Sequence, residues 1–275
     1  MEHFIKVSLL ALLQGLTEFL PVSSSGHLEL LTTLFKFRNS DSMTLSIMLH
    51  AGSLAAIVTF YFKTIWSLLK KENFHVIGLI ILGSIPAGVV GVTLKLTKYD
   101  ELLSDSLPVV GFGFLITAAL LRLSTKEKLI QLAPGEAPKK LSEMNWYQAL
   151  TVGVVQAIAI VPGISRSGST ISCGVIAGIE RESAATFSFL LALPAIGGAS
   201  LLELCSIIRG TATATETFSI PLLIWGVVFS ALVSFGALAL LMNIVKRGKL
   251  AWFAWYLNIL GAAVLIYCVA GMMKR

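Results

Sequence analysis

The stretch Gln14-Gly15-Leu16-Thr17-Glu18-Phe19-Leu20-Pro21-Val22-Ser23-Ser24-Ser25-Gly26-His27 decides the fold. It sets a carboxylate, three consecutive serine hydroxyls and an imidazole inside a segment otherwise apolar enough for lipid. An ionisable group at membrane depth costs several kcal/mol, so it faces a protein interior or an aqueous cavity and marks a site. The apolar runs on either side, roughly 4–20 and 26–37, are each too short to cross a bilayer, which takes about 20 residues. Non-helical backbone at that depth is tolerated only where protein buries it or where it lines a cavity. The pattern therefore predicts a re-entrant helix-loop-helix hairpin over 4–37. A second segment of the same kind, Gln156-Ala157-Ile158-Ala159-Ile160-Val161-Pro162-Gly163-Ile164-Ser165-Arg166-Ser167-Gly168-Ser169-Thr170, lies between short runs at 146–161 and 168–179 and predicts another.

Around these hairpins the composition is that of a membrane protein. Of 275 residues 56% are hydrophobic and only 13% charged, whereas a soluble domain keeps about a quarter charged. Full-length apolar stretches predict six spans, at 43–62, 74–94, 107–123, 184–208, 218–243 and 250–272. The first run carries Glu18 and Pro21 and no small-residue cleavage site, so it is read as part of the fold and not as a signal peptide. Cys173, Cys205 and Cys268 are far apart, without metal spacing, and read as small core hydrophobes. The net charge of +6 sits mostly in short loops, where it reports orientation and headgroup contact and points to no nucleic acid.

The two hairpins look like a repeat at an offset of 142 residues, which carries Gln14 to Gln156, Gly26 to Gly168 and Gly52 to Pro194. Three predicted spans separate them, and an odd number makes the second hairpin enter from the opposite face. The expectation is a single all-α integral membrane domain with an inverted-topology repeat: a first half over 1–123, a polar loop over 124–145 containing Pro134-Gly135 and Pro138, and a second half over 146–275. Each half would be a re-entrant hairpin plus three transmembrane helices, with the hairpin tips meeting near the midplane. Loops 63–73, 124–145 and 244–249, with Arg122 and Arg181, hold twelve Lys and Arg, against eight on the opposite face. The positive-inside rule makes the first face cytoplasmic and puts both termini outside.

In each hairpin a Ser/Gly-rich break precedes a helix, leaving free N–H groups and a positive dipole end beside hydroxyl donors. Ser25 and Gly26 in the first, with Ser165, Ser167, Gly168 and Thr170 in the second, form a cradle for phosphate or diphosphate. Arg166 adds a planar, permanently charged fork matched to phosphate oxygens; its alternative role is a salt bridge to Glu18 that locks the hairpins together. Gln14 and Glu18 are four residues apart and project from one helical face. Glu18 can be a general base, a ligand for a divalent cation, or a neutral hydrogen-bonded core acid. One carboxylate makes a weak metal site unless substrate phosphates complete it. Ser24 and His27 share a face at a helix start, so either Ser24 attacks phosphorus with His27 as base, or His27 attacks directly; the competing roles are an N-cap serine and a passive histidine. His50, inside the first span, reads as a packing or hydrogen-bonding residue, and Glu29 as an orienter of His27 or an interface residue.

At QGLTEFLPVSSSGH (14–27) and PGISRSGST (162–170) the sequence resembles the undecaprenyl-diphosphate phosphatase family, also called the bacitracin-resistance protein family. These segments correspond to its (E/Q)xxxE motif, its serine-histidine segment and its PGxSRSxxT motif, and the likeness extends over the whole chain in length and span order. The resemblance implies hydrolysis of undecaprenyl diphosphate to undecaprenyl phosphate, which recycles the lipid carrier for peptidoglycan and confers bacitracin tolerance. It carries a functional set onto Gln14, Glu18, Ser24, His27, Ser165, Arg166 and Thr170. It further implies Mg2+ or Ca2+ as cofactor, a location in the bacterial cytoplasmic membrane with a site open to its outer face, membrane lipids and a polyprenyl diphosphate as partners, bacitracin competing for that lipid, and homodimers. The competing reading is a secondary transporter or lipid flippase, since inverted repeats with broken helices are transporter architecture.

Overall fold

The computed structural model describes residues 2–35, 42–70, 74–97, 106–126, 129–130, 136–209 and 218–272. Pro134-Gly135 and most of the predicted connections 36–42, 95–106 and 209–217 lie outside the described residues. Within them the chain is helical: α1 (Glu2–Thr17), α2 (Ser24–Phe35), α3 (Ser42–Phe60), α4 (Phe62–Lys70), α5 (Phe74–Thr97), α6 (Leu107–Leu123), α7 (Trp146–Ile158), α8 (Arg166–Ile176), α9 (Arg181–Ile208), α10 (Ile220–Lys246) and α11 (Ala251–Met272), with a 3-10 turn at Leu141–Glu143.

Four of these helices are long and apolar enough to cross a membrane: α5, α9 over Arg181–Leu202, α10, and α11 over Ala251–Ala270. The expected span 43–62 is not one straight rod. It ends at Phe60 and bends by 65° into α4, making a fifth crossing only if the pair counts as one. The cause is composition: α4 carries Lys63, Trp66 and Lys70, and the Lys70 ammonium lies 5.2 Å from the Trp66 ring centre, the amphipathic chemistry of a membrane interface. The expected span 107–123 is helical at those bounds, but its 17 residues reach about 25 Å at 1.5 Å per residue, short of a hydrocarbon layer of roughly 30 Å. Six full-length spans thus become four or five, with α6 a shorter apolar helix inside the bundle.

The main packing partners are α3 with α10, α6 with α11, α5 with α7, and α1 with α10. Membrane helices have no water to drive them together and associate where small residues let backbones approach. Gly153 of α7 lies against the Gly83 carbonyl of α5 so closely that a β-carbon there would collide with it.

Both apolar pairs, α1–α2 and α7–α8, break where the sequence breaks. The chain leaves α1 after Thr17, although the Glu18 amide still bonds the Gln14 carbonyl at 2.9 Å, and turns through Pro21 and Val22 to Ser23, whose φ of +69° is left-handed. The second break has Gly163 at φ +87°, where a β-carbon would also strike the Val110 carbonyl. Helix α6 walls both breaks, since β-carbons on Gly26 and Gly168 would stand 2.7 Å from the Phe114 ring and 3.0 Å from the Thr117 methyl. Beneath them Phe19 and Phe189 meet edge to face at 5.6 Å, and both are fully buried.

Candidate functional site

Ser23 and Ser165 each precede a helix and cap it. The Ser23 hydroxyl accepts from the Gly26 amide at 3.3 Å, and the Ser165 hydroxyl accepts from the Gly168 amide at 3.1 Å. The next hydroxyls repeat as well, with Ser23 Oγ 3.3 Å from Ser25 Oγ and Ser165 Oγ 3.3 Å from Ser167 Oγ. Two N-caps thus satisfy the usual orphan amide and leave the first residue of each helix, Ser24 and Arg166, to point elsewhere.

Both point at Glu18. The Ser24 hydroxyl donates to Glu18 Oε2 at 2.7 Å, and Arg166 Nη2 donates to Oε1 at 2.7 Å. Gln14, one turn back as the spacing predicts, donates from Nε2 to Oε2 at 3.1 Å, and His50 Nε2 stands 3.8 Å from the same oxygen. Glu18 is 8% exposed and Gln14 1%. The two breaks also touch directly, Ser167 Oγ donating to the Leu20 carbonyl at 3.3 Å, and the second is tied to α6, the Ser165 amide donating to Thr117 Oγ1 at 2.9 Å.

Burial of an ion pair costs more than its attraction returns unless the spare lone pairs and protons are also bonded. Here both Glu18 oxygens are used, yet Arg166 Nη1 and Gln14 Oε1 are buried without a partner. One guanidinium edge and one amide oxygen are therefore left over beside two helix N-termini. With Glu18 neutralised by Arg166, the remaining electrostatics are those of aligned N–H dipoles, which favour an anion.

The structure brings Gln14, Glu18, Ser24 and Arg166 into one cluster. Ser165 and Ser167 are buried supports of the hairpin contact, and Ser25 is exposed beside it. Gly26 and Gly168 are tight packing points against α6. Thr170 is buried, donates to the Arg166 carbonyl at 2.8 Å and lies 2.6 Å from Ser188 Oγ, so it braces the turn that carries Arg166. His27 stands apart from Glu18: its Nδ1 is 2.8 Å from the Ser23 carbonyl and its Nε2 is 2.6 Å from the Tyr256 hydroxyl. The i, i+3 spacing of Ser24 and His27 puts them on one face, but each spends its polar atoms on other partners. His50, read from sequence as a bonding or packing residue, bonds the Ser46 carbonyl through Nδ1 at 2.7 Å and faces Glu18 with Nε2. Tyr256 and Thr117 carried no sequence signal, because a lone tyrosine or threonine in an apolar helix reads as an interfacial or packing residue.

An arginine fork, a carboxylate-held serine and two capped helix starts within an apolar bundle are the donor set of a multi-pass membrane protein that handles a phosphate-bearing ligand. Residues 7–263 match the family described as bacitracin resistance protein BacA, and the chain belongs to that family. The chain is 41% identical to an undecaprenyl-diphosphatase of Halothermothrix orenii, over 97% of this chain and 98% of the relative. It is 39% identical to one of Rhodopirellula baltica over 97% and 98%, and 36% identical to undecaprenyl-diphosphatase 3 of Bacillus cereus over 96% and 97%.

Proposed function

We propose that this chain hydrolyses undecaprenyl diphosphate to undecaprenyl phosphate and phosphate, returning the lipid carrier to peptidoglycan synthesis and conferring bacitracin resistance. The observation that carries this reading is the convergence of Ser24 and Arg166, each the first residue of its helix, on the two oxygens of Glu18. Hydrolysis of a phosphoanhydride needs charge neutralisation and in-line positioning more than elaborate covalent chemistry. Arg166 and the two helix N-termini hold the terminal phosphoryl group. Glu18 accepts the proton of Ser24, whose oxygen attacks the terminal phosphorus while the bond to the bridging oxygen breaks. Water then attacks the phosphoserine, and Glu18 returns the proton to Ser24 as phosphate leaves. Direct attack by His27 is the competing route, since its ring lies one helical turn along the same face as Ser24.

A divalent cation, Mg2+ or Ca2+, fits this site only in company with the substrate. The described residues contain no group of three or more His, Cys, Asp or Glu side chains able to hold a metal. Glu18 and the unpartnered Gln14 Oε1 would hold the ion, and diphosphate oxygens would supply the remaining ligands. Such an ion offsets charge on the phosphates.

The fold reading is one domain of two inverted halves, each led by a re-entrant hairpin. It is supported by the capping bonds that repeat at 142 residues, and by packing that repeats with them, α5 on α7 as α10 on α1. The location is the bacterial cytoplasmic membrane with the site opening to the outer face. Cation–π pairs of Arg122 with Trp255 at 4.5 Å and Lys249 with Trp252 at 4.9 Å suit the cytoplasmic interface that the Lys/Arg count selects. Homodimers, and bacitracin competing for the same lipid, complete the reading. Phosphate release from undecaprenyl diphosphate by detergent-purified protein tests the function, and an inactive preparation that retains its thermal transition would defeat it.

A further inference from the structure

Tyr256 lies outside both motif segments, on the last helix, 229 residues from His27. Its hydroxyl is 2.6 Å from His27 Nε2, and the two rings are nearly parallel, 14° apart with centres at 5.8 Å. On its other side the imidazole meets the edge of Phe114 at 5.4 Å. The opposite ring nitrogen fixes the proton. A backbone carbonyl only accepts, so the 2.8 Å contact of Nδ1 with the Ser23 carbonyl requires the hydrogen on Nδ1. The bare nitrogen of the neutral ring is then Nε2, and it accepts the Tyr256 hydroxyl. One carbonyl, that of Ser23, serves both the His27 amide at 3.2 Å and the ring at 2.8 Å.

We infer that Tyr256 is a positioning residue for His27: with the Ser23 carbonyl it fixes the ring's tautomer and orientation, and its hydroxyl covers the one nitrogen able to engage a substrate oxygen. When a lipid diphosphate enters, the Nε2 lone pair passes from Tyr256 to the substrate side, and the exposed tyrosine, 46% accessible, moves aside without repacking a core. This catalytic consequence rests on the phosphatase reading above; the geometric clamp does not.

The test uses full-length protein in detergent and two readouts. The first is carbethoxylation by diethyl pyrocarbonate, which reacts at a free imidazole nitrogen, followed peptide by peptide so that His3, His50 and His75 serve as internal references. In Tyr256→Phe the labelling rate of His27 should rise severalfold while the other three stay constant. The second is phosphate release, where Tyr256→Phe should lower kcat about tenfold with KM within twofold, and Tyr256→Leu should fall no further, because the hydroxyl and not the ring carries the effect. Unchanged His27 labelling or a parallel rise at all four histidines would overturn the clamp, and a kcat equal to wild type in Tyr256→Phe would overturn its catalytic consequence. If the wild type releases no phosphate, the functional reading fails while the labelling comparison still decides the role of Tyr256.

Discussion

Replacing Arg166 by lysine separates the two things this residue does. Its Nη2 bonds Glu18 Oε1 at 2.7 Å, and Nη1 is buried with no protein partner. Truncation to alanine would strand Glu18, a group only 8% exposed, and loss of one member of a buried pair costs about 3–5 kcal/mol, enough to unfold a marginal protein. Lysine keeps the charge and can keep the contact to Glu18, so stability should fall little. An ammonium is a point donor, however, and cannot hold Glu18 and present a second aligned donor to a phosphate. The lost interaction is one charge-assisted hydrogen bond, about 1.5–3 kcal/mol. If it tightens in the transition state, that converts to roughly a ten- to hundredfold drop in kcat. The assay is phosphate release from undecaprenyl diphosphate by Arg166→Lys, alongside its thermal transition in the same detergent. Turnover within twofold of wild type would refute the clamp, and a fall in turnover that merely tracks a lost thermal transition would reduce Arg166 to a structural tie.

Four further outcomes follow from the same geometry. Glu18→Gln should abolish turnover where Gln14→Ala costs about tenfold, because only Glu18 accepts a proton; equal losses in initial-rate assays would reassign both to packing. Gln14→Glu should lower the Mg2+ or Ca2+ concentration needed for half-maximal rate by supplying a second carboxylate, and an unchanged metal titration would remove Gln14 from the ion's surroundings. Ser24→Ala should be inactive if Ser24 attacks, with acid-stable phosphoserine trapped by quenching a reaction on terminally labelled substrate; an acid-labile adduct at His27 would give the attack to the imidazole, His27→Ala would then be the inactive variant, and Ser24→Ala would lose only about tenfold. An alkaline phosphatase fused after Arg275 should be active and a fluorescent protein dark; the reverse pattern would invert the membrane orientation.

What was legible in the sequence was what lipid makes costly. Glu18, Arg166 and the serine clusters stand out because apolar surroundings penalise them, and Pro21, Gly26, Pro162 and Gly163 show where helices must stop. Both helix breaks follow, with α7 and α8 ending within a few residues of their expected bounds. The bend at Tyr61 was hidden because an apolar run reads the same straight or bent, and only Lys63, Trp66 and Lys70 beyond it mark the exit from lipid. The pairing inside the site was hidden for a different reason. Spacing reports which residues share a face, not which partner each prefers, and so it joined Ser24 to His27 when Glu18 and Tyr256 were the better partners, one brought by the turn and the other by the far end of the chain.

The bonding that repeats at 142 residues says where the chemistry is written. The capping bonds are the same at both breaks, Ser23 with Gly26 and Ser165 with Gly168, with a second hydroxyl two residues after each cap, while the backbone is left-handed at Ser23 and extended at Ser165. What differs is the residue just after the cap, Ser24 against Arg166, the residue five before the cap, Glu18 against Ile160, and the one four after it, His27 against Ser169. A capped helix start is a generic anion cradle, satisfied by a hydroxyl and a glycine, so the same bonds can serve twice. Proton transfer and charge neutralisation make opposite demands, one needing a carboxylate that can be protonated and the other a cation that cannot be deprotonated. In the proposed reaction the segment before α2 carries the one and the start of α8 the other, and the 2.7 Å contact between Glu18 and Arg166 joins them.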